Sequence, residues 1–214
     1  MKYEGIEYNG DMNYTKEIIA VLDPMCSWCW GFEPVLEELR KALPEDTKLS
    51  LILGGLRSKG DQVWDDTFRS FLKEHWTNVQ TQTQQKFNMS FFNKEAFEYD
   101  TEPACRAVVV VRELDDRKQF SFFTALQKAF YQDTKDITST DVIKSIVEEE
   151  GIEVEDFMSL FISPQMRDKT KSDSYKARSM GANAFPSLVF IDEEGHLFVL
   201  KGYRPFEQIK KFMK

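Results

Sequence analysis

Segments that favour β-strands occur only near the two ends of this 214-residue chain, and the stretch between them has the sequence character of helices. Four short apolar runs read as strands: Ile18–Leu22, Lys48–Leu53, Pro186–Ile191 and Leu197–Leu200. The entropy of loop closure grows slowly with length, so a long insertion between two halves of a sheet is tolerated when the insertion has its own structure. The order of elements therefore predicts an α/β protein with a large helical insertion.

We interpret residues 1–59 and 172–214 as one sheet-containing domain, and residues 60–171 as an all-helical insertion. Apolar residues three and four positions apart, together with polar starts and glycine stops, mark the helices. The predicted helices are 26–42, one whose apolar face carries Phe68, Phe71, Leu72, Trp76 and Val79, then Thr101–Leu114, Phe120–Phe130, Thr140–Glu150, Ser172–Met180 and Phe206–Met213.

Composition narrows the possible functions. Hydrophobic residues make up 42% of the chain, which is ample for a packed core. The net charge of -8 argues against a nucleic-acid partner, since such a surface needs a basic footprint. No run approaches the roughly 18 apolar residues of a membrane span, and the amino-terminal stretch lacks a signal-peptide core. We therefore expect a cytoplasmic protein, although an exported protein without its leader would read the same way. Nothing in the sequence defines the oligomeric state.

Two of the three cysteines, Cys26 and Cys29, lie three residues apart at the predicted start of the first helix. This spacing places both sulfurs on one helical face, close enough to form a disulfide. A thiolate at Cys26 would accept backbone N–H bonds and face the positive end of the helix dipole. The pattern predicts Cys26 as the attacking thiol and Cys29 as the shielded, resolving thiol of a redox pair.

The cysteines have two other possible roles besides redox chemistry. A zinc site needs four ligands, and Cys105, His75 and His196 do not have ligand-like spacing, so no metal site is predicted. A cysteine can also serve simply as a small apolar residue of the core, and we predict this role for Cys105. Asp23, just before the motif, reads as a cap for the turn or the helix.

Two segments resemble a known family. Residues 23–33, Asp-Pro-Met-Cys-Ser-Trp-Cys-Trp-Gly-Phe-Glu, are similar to the active-site segment of DsbA-like thioredoxin-fold proteins, in particular the FrnE-like branch. Residues 182–187, Ala-Asn-Ala-Phe-Pro-Ser, resemble a second segment of that family. The resemblance covers nearly the whole chain and implies a thioredoxin fold with a large all-helical insertion.

The resemblance also implies roles for residues around the cysteines. It implies that Pro186 is a cis proline beside the CxxC motif, and that Phe185 presents its backbone to substrate. It also implies that residues 101–106 lie near the active site, which makes Thr101 and Arg106 possible substrate-cleft residues. The dipeptide between the cysteines, Ser27-Trp28, departs from the Pro-His or Pro-Trp of better-known members.

Two residues of the first helix have more than one interpretation. Trp28 would shield the disulfide and offer an apolar platform to a substrate. Glu33 follows Cys29 by four residues, and it is either a buried carboxylate that relays protons to Cys29 or a solvated charge.

The predicted function is that of a thiol–disulfide oxidoreductase or isomerase. Such an enzyme exchanges dithiols and disulfides of proteins or small thiols without a cofactor, and glutathione is a possible redox partner. A glutathione-dependent isomerase or a kappa-type glutathione transferase is the alternative enzyme, although such enzymes typically keep a single Ser or Cys in the motif. A binding module that has kept the fold without catalysis is the third interpretation.

Overall fold

The computed structural model describes residues 15–58, 60 and 62–213. The amino-terminal stretch in which no signal-peptide core is seen therefore lies largely outside the described residues, as does residue 59 at the predicted domain boundary. Four strands form one sheet: β1 (Thr15–Leu22), β2 (Lys48–Leu53), β3 (Ser187–Asp192) and β4 (Leu197–Lys201). Their order is β2-β1-β3-β4, with β2 parallel to β1 and the other pairs antiparallel.

Eight α-helices surround this sheet in the part of the chain that the structure describes. They are α1 (Ser27–Ala42), α2 (Asp66–Thr83), α3 (Glu102–Leu114), α4 (Gln119–Tyr131), α5 (Thr140–Glu149), α6 (Val154–Phe161), α7 (Pro164–Ser179) and α8 (Phe206–Ile209). Helices α2 to α7 all lie between β2 and β3 in the chain. This is a thioredoxin fold with a helical insertion, so the predicted fold class is confirmed. None of these helices is long and apolar enough to cross a bilayer.

Strand β1 is central because it is apolar on both faces. Ile18, Ala20 and Leu22 belong to the large core, which also contains α1 and the insertion helices. Ile19 and Val21 point the other way, into a smaller cluster with residues of α7. Alternate residues of a strand point to opposite faces, so a fully apolar strand has to be covered on both sides.

The structure differs from the sequence prediction around α6 and α7. Helix α6 was not predicted, because it is short and buries only Phe157 and Phe161. Helix α7 begins at Pro164, where the Ser163 hydroxyl accepts the Met166 N–H at 3.3 Å, and not at residue 172. The predicted domain boundary between residues 171 and 172 therefore falls inside a continuous helix.

Two further differences concern one face of α2 and the length of the last helix. Phe71 belongs to the predicted apolar face of α2 but is 44% exposed, whereas its neighbour Leu72 is buried. The carboxy-terminal helix α8 is a single turn that continues as a 3-10 turn at Lys210–Phe212.

An ion pair connects the insertion to the sheet. Arg112 on α3 donates to the Leu51 carbonyl at 2.7 Å and to both carboxylate oxygens of Asp173 on α7, at 2.8 and 3.0 Å. Asp173 also accepts the backbone N–H of Leu53 at 3.1 Å. Both side chains are largely buried, so removing one partner leaves the other poorly solvated.

We predict that Asp173→Ala lowers the free energy of unfolding by about 2–3 kcal/mol, because it leaves the Arg112 charge without its carboxylate and the Leu53 N–H without its acceptor. Asp168→Ala on the same helix is the matched control. Asp168 pairs with Lys171 at the exposed surface, and its loss should cost less than about 0.5 kcal/mol. Urea denaturation measures both values, and equal losses would contradict the assigned role of Asp173.

Candidate active site

The CxxC motif lies where β1 passes into α1. Asp23 and Pro24 end the strand, and the Cys26 N–H donates to the Asp23 carbonyl at 3.1 Å, which closes a tight turn. Cys26 caps α1 and Cys29 lies within its first turn, so the backbone N–H groups of that turn point towards the Cys26 side. Both cysteines are free thiols, and Cys26 is 6% exposed against 2% for Cys29. Cys26 is thus the more exposed thiol, as predicted.

The environment of Cys29 disfavours its negative charge. Burial raises the pKa of Cys29 well above its usual value. The hydrogen bond and the charge of Cys26 raise it further, and the Asp23 charge adds a smaller contribution. Burial and the neighbouring Cys26 thus both favour the protonated form of Cys29. This is the behaviour that a resolving thiol needs.

The loop before β3 forms the opposite wall of the site. The Cys26 Sγ lies 3.7 Å from the Phe185 carbonyl oxygen, to which it donates a hydrogen bond. The peptide bond between Phe185 and Pro186 is cis. Among the described residues, no hydrogen bond uses the Phe185 N–H. The structure therefore places the Phe185 backbone directly against the Cys26 thiol.

Gly54 allows this close approach. A Cβ atom at Gly54 would lie 2.1 Å from Cε1 of the Phe185 ring, far inside van der Waals contact. The Phe185 ring thus occupies the space that any other residue at position 54 would need. The absence of a side chain at Gly54 therefore helps to set the position of the Phe185 backbone beside Cys26.

Asp23 has a larger role than the predicted cap. Its carboxylate accepts the Met25 N–H at 2.9 Å, as a turn cap would, but it also accepts the Leu56 N–H at 2.7 Å. The Cys105 thiol donates to the same carboxylate at 3.4 Å. Asp23 is fully buried, and burial raises its pKa. The sequence signal was a lone acid directly after an apolar strand, which is too common to single out.

Thr101 and Arg106 do not lie in an open cleft. Thr101 is fully buried, and its hydroxyl accepts the Arg57 N–H at 3.2 Å. Arg106 is 4% exposed, pairs with Glu102 at 2.9 Å and stacks on Phe161. The first turn of α3 does approach the active site, because Thr101 and Cys105 both contact Asp23, but it does so from behind and not from the solvent side.

Glu33 is half-buried, and burial raises its pKa, although the nearby Lys128 charge opposes this effect. It lines a polar groove with residues of α4, such as Lys128 and Thr124. Glu33 is not among the main groups that shift the pKa of Cys29, where the carboxylate that acts is Asp23. The relay interpretation of Glu33 therefore finds no support in the geometry.

The residues between the cysteines lie at the surface. Ser27 and Trp28 are half-buried, and the Trp28 ring lies 6.0 Å from that of Tyr203. Together these rings form an apolar border next to Cys26. His75 is exposed and His196 pairs with Asp192, so neither approaches the thiols. Within residues 15–58, 60 and 62–213, no group of His, Cys, Asp and Glu side chains could hold a metal ion.

This fold and this site define a class of protein. A thioredoxin-type sheet that presents a CxxC pair at the start of its first helix, against a proline loop, is the architecture of DsbA-like thiol–disulfide oxidoreductases. The chain belongs to the Thioredoxin_5 family, described as Thioredoxin, whose model matches residues 20–211. The FrnE-like branch remains a prediction.

Solved structures support this assignment. A Nitrosomonas europaea protein described as a "putative protein disulfide isomerase" is 31% identical, with a TM-score of 0.85 over 94% of this chain and 96% of that chain. The cytosolic disulfide reductase DsbM from Pseudomonas aeruginosa is 22% identical, with a TM-score of 0.74 over 86% of this chain and 89% of that chain. At that level of identity, the second match shows the shared fold alone.

Curated relatives have a different description. The chain is similar to the ClpXP adapter protein SpxH of Bacillus subtilis, with 25% identity over 187 residues, which are 83% of this chain and 59% of the relative. The SpxH of Shouchella clausii is 22% identical over 193 residues, or 89% of this chain and 63% of the relative. The chain thus spans less than two thirds of the length of these relatives.

We predict that alkylation of the reduced, native protein modifies Cys26 first. Burial raises the pKa values of Cys29 and Cys105, so both remain protonated and unreactive at neutral pH. Brief treatment with iodoacetamide, followed by peptide mass spectrometry, should find the label on Cys26. Cys26→Ser is the control and should remove the rapid labelling. Initial label on Cys29 or Cys105 would contradict the assigned order of reactivity.

We also predict that Gly54→Ala moves the Phe185 ring and, with it, the carbonyl that faces Cys26. The free energy of unfolding should fall by about 1–3 kcal/mol, the usual cost of overpacking, and Cys26 should react more slowly with disulfides. Adding Phe185→Ala removes the clash. The double variant should therefore lose less unfolding free energy than the two single variants lose together. Strict additivity in urea denaturation would show that Gly54 and Phe185 are not coupled.

Proposed function

We propose that this protein catalyses thiol–disulfide exchange through Cys26 and Cys29, with Cys26 as the attacking thiol and Cys29 as the resolving thiol. The observation that carries this proposal is the asymmetry of the pair. Cys26 lies at a helix start, 3.7 Å from the Phe185 carbonyl oxygen, whereas Cys29 is buried behind it with a strongly raised pKa. The described residues thus supply the two different thiols that exchange requires.

The exchange proceeds in two balanced steps. The Cys26 thiolate attacks one sulfur of a substrate disulfide, so that a mixed disulfide forms and the first substrate thiolate leaves and takes up a proton. Cys29 then attacks the Cys26 sulfur, which forms the Cys26–Cys29 disulfide and releases the second substrate thiol. The substrate gains two electrons and the protein loses two, and the reverse sequence oxidises a dithiol. No cofactor is needed, because electrons pass only between sulfur atoms.

The substrate class follows from the surface around Cys26. The unused Phe185 N–H and its carbonyl oxygen offer a donor and an acceptor to an extended peptide, which would add to them as a short strand. The exposed parts of Trp28 and Tyr203 provide apolar contact. Backbone recognition of this kind favours broad specificity, so we propose protein disulfides and small disulfides such as oxidised glutathione as substrates.

The redox partner and the compartment belong to the same proposal. DsbM, a structural neighbour, is described as a cytosolic disulfide reductase and has been solved with GSH. This description supports glutathione as a partner and the cytoplasm as the location. Titration of the Cys26–Cys29 pair in glutathione buffers gives the direction of the reaction. A potential near about -270 mV favours reduction of substrates, and one near about -120 mV favours their oxidation.

A second candidate is an adapter that binds a protein partner without redox turnover. The similarity to SpxH, described as a ClpXP adapter protein, favours it. The glutathione-dependent isomerase and kappa-type transferase alternatives have less support, because the structure retains a buried Cys29 next to Cys26 and those enzymes need no resolving thiol.

We predict that Cys29→Ser accumulates a mixed disulfide on Cys26, since the first attack proceeds and the second cannot. Non-reducing gels with a disulfide-bonded protein substrate, and mass spectrometry with oxidised glutathione, should show the adduct. Cys105→Ser is the matched control for loss of a buried thiol and should turn over like the wild type. If the wild type shows no exchange and Cys29→Ser no adduct with either substrate, the adapter function replaces the proposed one.

A further inference from the structure

The sheet has two edges, and in the part of the chain that the structure describes, side chains satisfy the backbone of only one. At the β2 edge, Arg112 donates to the Leu51 carbonyl and Asp173 accepts the Leu53 N–H. The other edge is β4 (Leu197–Lys201), which pairs with β3 alone. An edge strand presents a row of unpaired backbone donors and acceptors, and such a row is a template for a further strand.

The pairing of β3 with β4 defines which residues of β4 face outward. The Gly202 N–H donates to the Pro186 carbonyl at 2.8 Å, just beyond the end of β4. Antiparallel strands bond at every second residue, so the residues of β4 at an even spacing from Gly202 bond to β3. The other residues of β4 direct their backbone N–H and C=O groups away from the sheet; they are Leu197, Val199 and Lys201. No hydrogen bond between described residues uses these outward groups.

The side chains of β4 do little to keep another strand away. Natural edge strands commonly carry charges, a proline or a bulge for this purpose. Leu197 and Val199 are half-buried and pack against the smaller apolar cluster, and Lys201 at the end of the strand is the only charged residue in it. A partner strand would therefore meet apolar side chains as well as backbone groups.

The two ends of β4 carry opposite charges. The hairpin turn before the strand contains Glu193 and Glu194, which are both exposed. Lys201 and Arg204, at the other end, are exposed as well. A strand that is acidic at one end and basic at the other is complementary to a second copy of itself that runs in the opposite direction. A two-fold axis, which is the commonest symmetry of homo-oligomers, pairs a surface with itself in this way.

We propose that the β4 edge is a homodimer interface, in which two copies of this chain join their sheets through antiparallel β4 strands. The register that engages every outward-facing residue places Val199 opposite the partner's Val199. It also places Leu197 opposite the partner's Lys201, whose aliphatic stem can cover it. Arg204 then extends towards the partner's Glu194, so that opposite charges meet at both ends of the paired strands.

This interface would reach the border of the active site. Tyr203, whose ring lies 6.0 Å from that of Trp28, follows β4 by two residues. In the same register, Tyr203 lies opposite the partner's Gly195, in the loop between β3 and β4. The partner's hairpin would therefore lie next to the surface on which we propose that substrates bind. The pairing itself does not depend on thiol–disulfide exchange.

The first test measures the mass of the full-length protein over a range of concentrations. Sedimentation equilibrium should show a reversible rise from 25.0 kDa, the mass of one chain, to twice that value at micromolar concentrations. Val199→Lys places like charges at the two-fold axis and should keep the protein monomeric, whereas Val199→Thr keeps a β-branched side chain and should dimerise like the wild type. A monomeric wild type overturns the inference, and so does a dimer that survives Val199→Lys.

The second test exchanges charges at exposed positions outside the strand. Arg204→Glu alone and Glu194→Arg alone each bring like charges together, and each should weaken dimerisation by about fivefold. The double variant restores opposite charges at both ends, so it should recover most of the wild-type affinity. Losses that simply add in the double variant would contradict antiparallel pairing through β4.

Amide hydrogen exchange, followed by NMR, tests the register residue by residue. The outward N–H groups of Leu197, Val199 and Lys201 gain partners in the dimer, so their exchange should slow by about tenfold or more between dilute and concentrated protein. Phe198 and Leu200 bond to β3 in either state and are the internal controls. Unchanged exchange at Val199 in a protein that dimerises would show that another surface forms the dimer, and the inference would fail.

Discussion

The active site depends on one buried carboxyl group. Asp23 accepts hydrogen bonds from the turn that leads into α1, from the loop after β2 through Leu56, and from α3 through Cys105. These segments come from the sheet domain and from the insertion, so the carboxyl group determines where the CxxC motif lies relative to both. Its burial raises its own pKa, and its ionised form makes a negative charge at Cys29 less favourable. One group thus serves the architecture and the electrostatics of the site.

The difference between the two thiols is electrostatic more than steric. Their exposed fractions, 6% and 2%, are nearly the same. They differ in what surrounds them: Cys26 faces a helix N-terminus and a backbone carbonyl, whereas Cys29 faces Cys26 and Asp23. Two thiols of similar exposure can therefore take different roles, one attacking and the other resolving. This requires that the neighbouring negative charges lie closer to the resolving thiol.

Local sequence was sufficient for the sheet and for α1, because apolar runs, turn residues and the CxxC spacing are signals within a few residues of one another. The approach of Phe185 to Cys26 joins positions 159 apart, and it was predicted only from the resemblance to the DsbA-like family. Local sequence was insufficient for Arg106, since the side of α3 that faces solvent is decided by α6, a short helix with a weak pattern. For Glu33 the sequence left two interpretations open, because four-residue spacing predicts a shared helical side but not which acid is buried next to the sulfur.

The site is assembled from distant parts of the chain. Cys26 and Phe185 are 159 positions apart, with the whole helical insertion between them. At about 5–20 residues per second, a ribosome needs on the order of 10–30 s to synthesise that distance. For this interval the nascent chain carries both thiols of the motif without the loop that later covers them. A newly made molecule is therefore most open to unwanted disulfides before its final strands emerge, and this vulnerability comes from the strand order and not from any property of the finished fold.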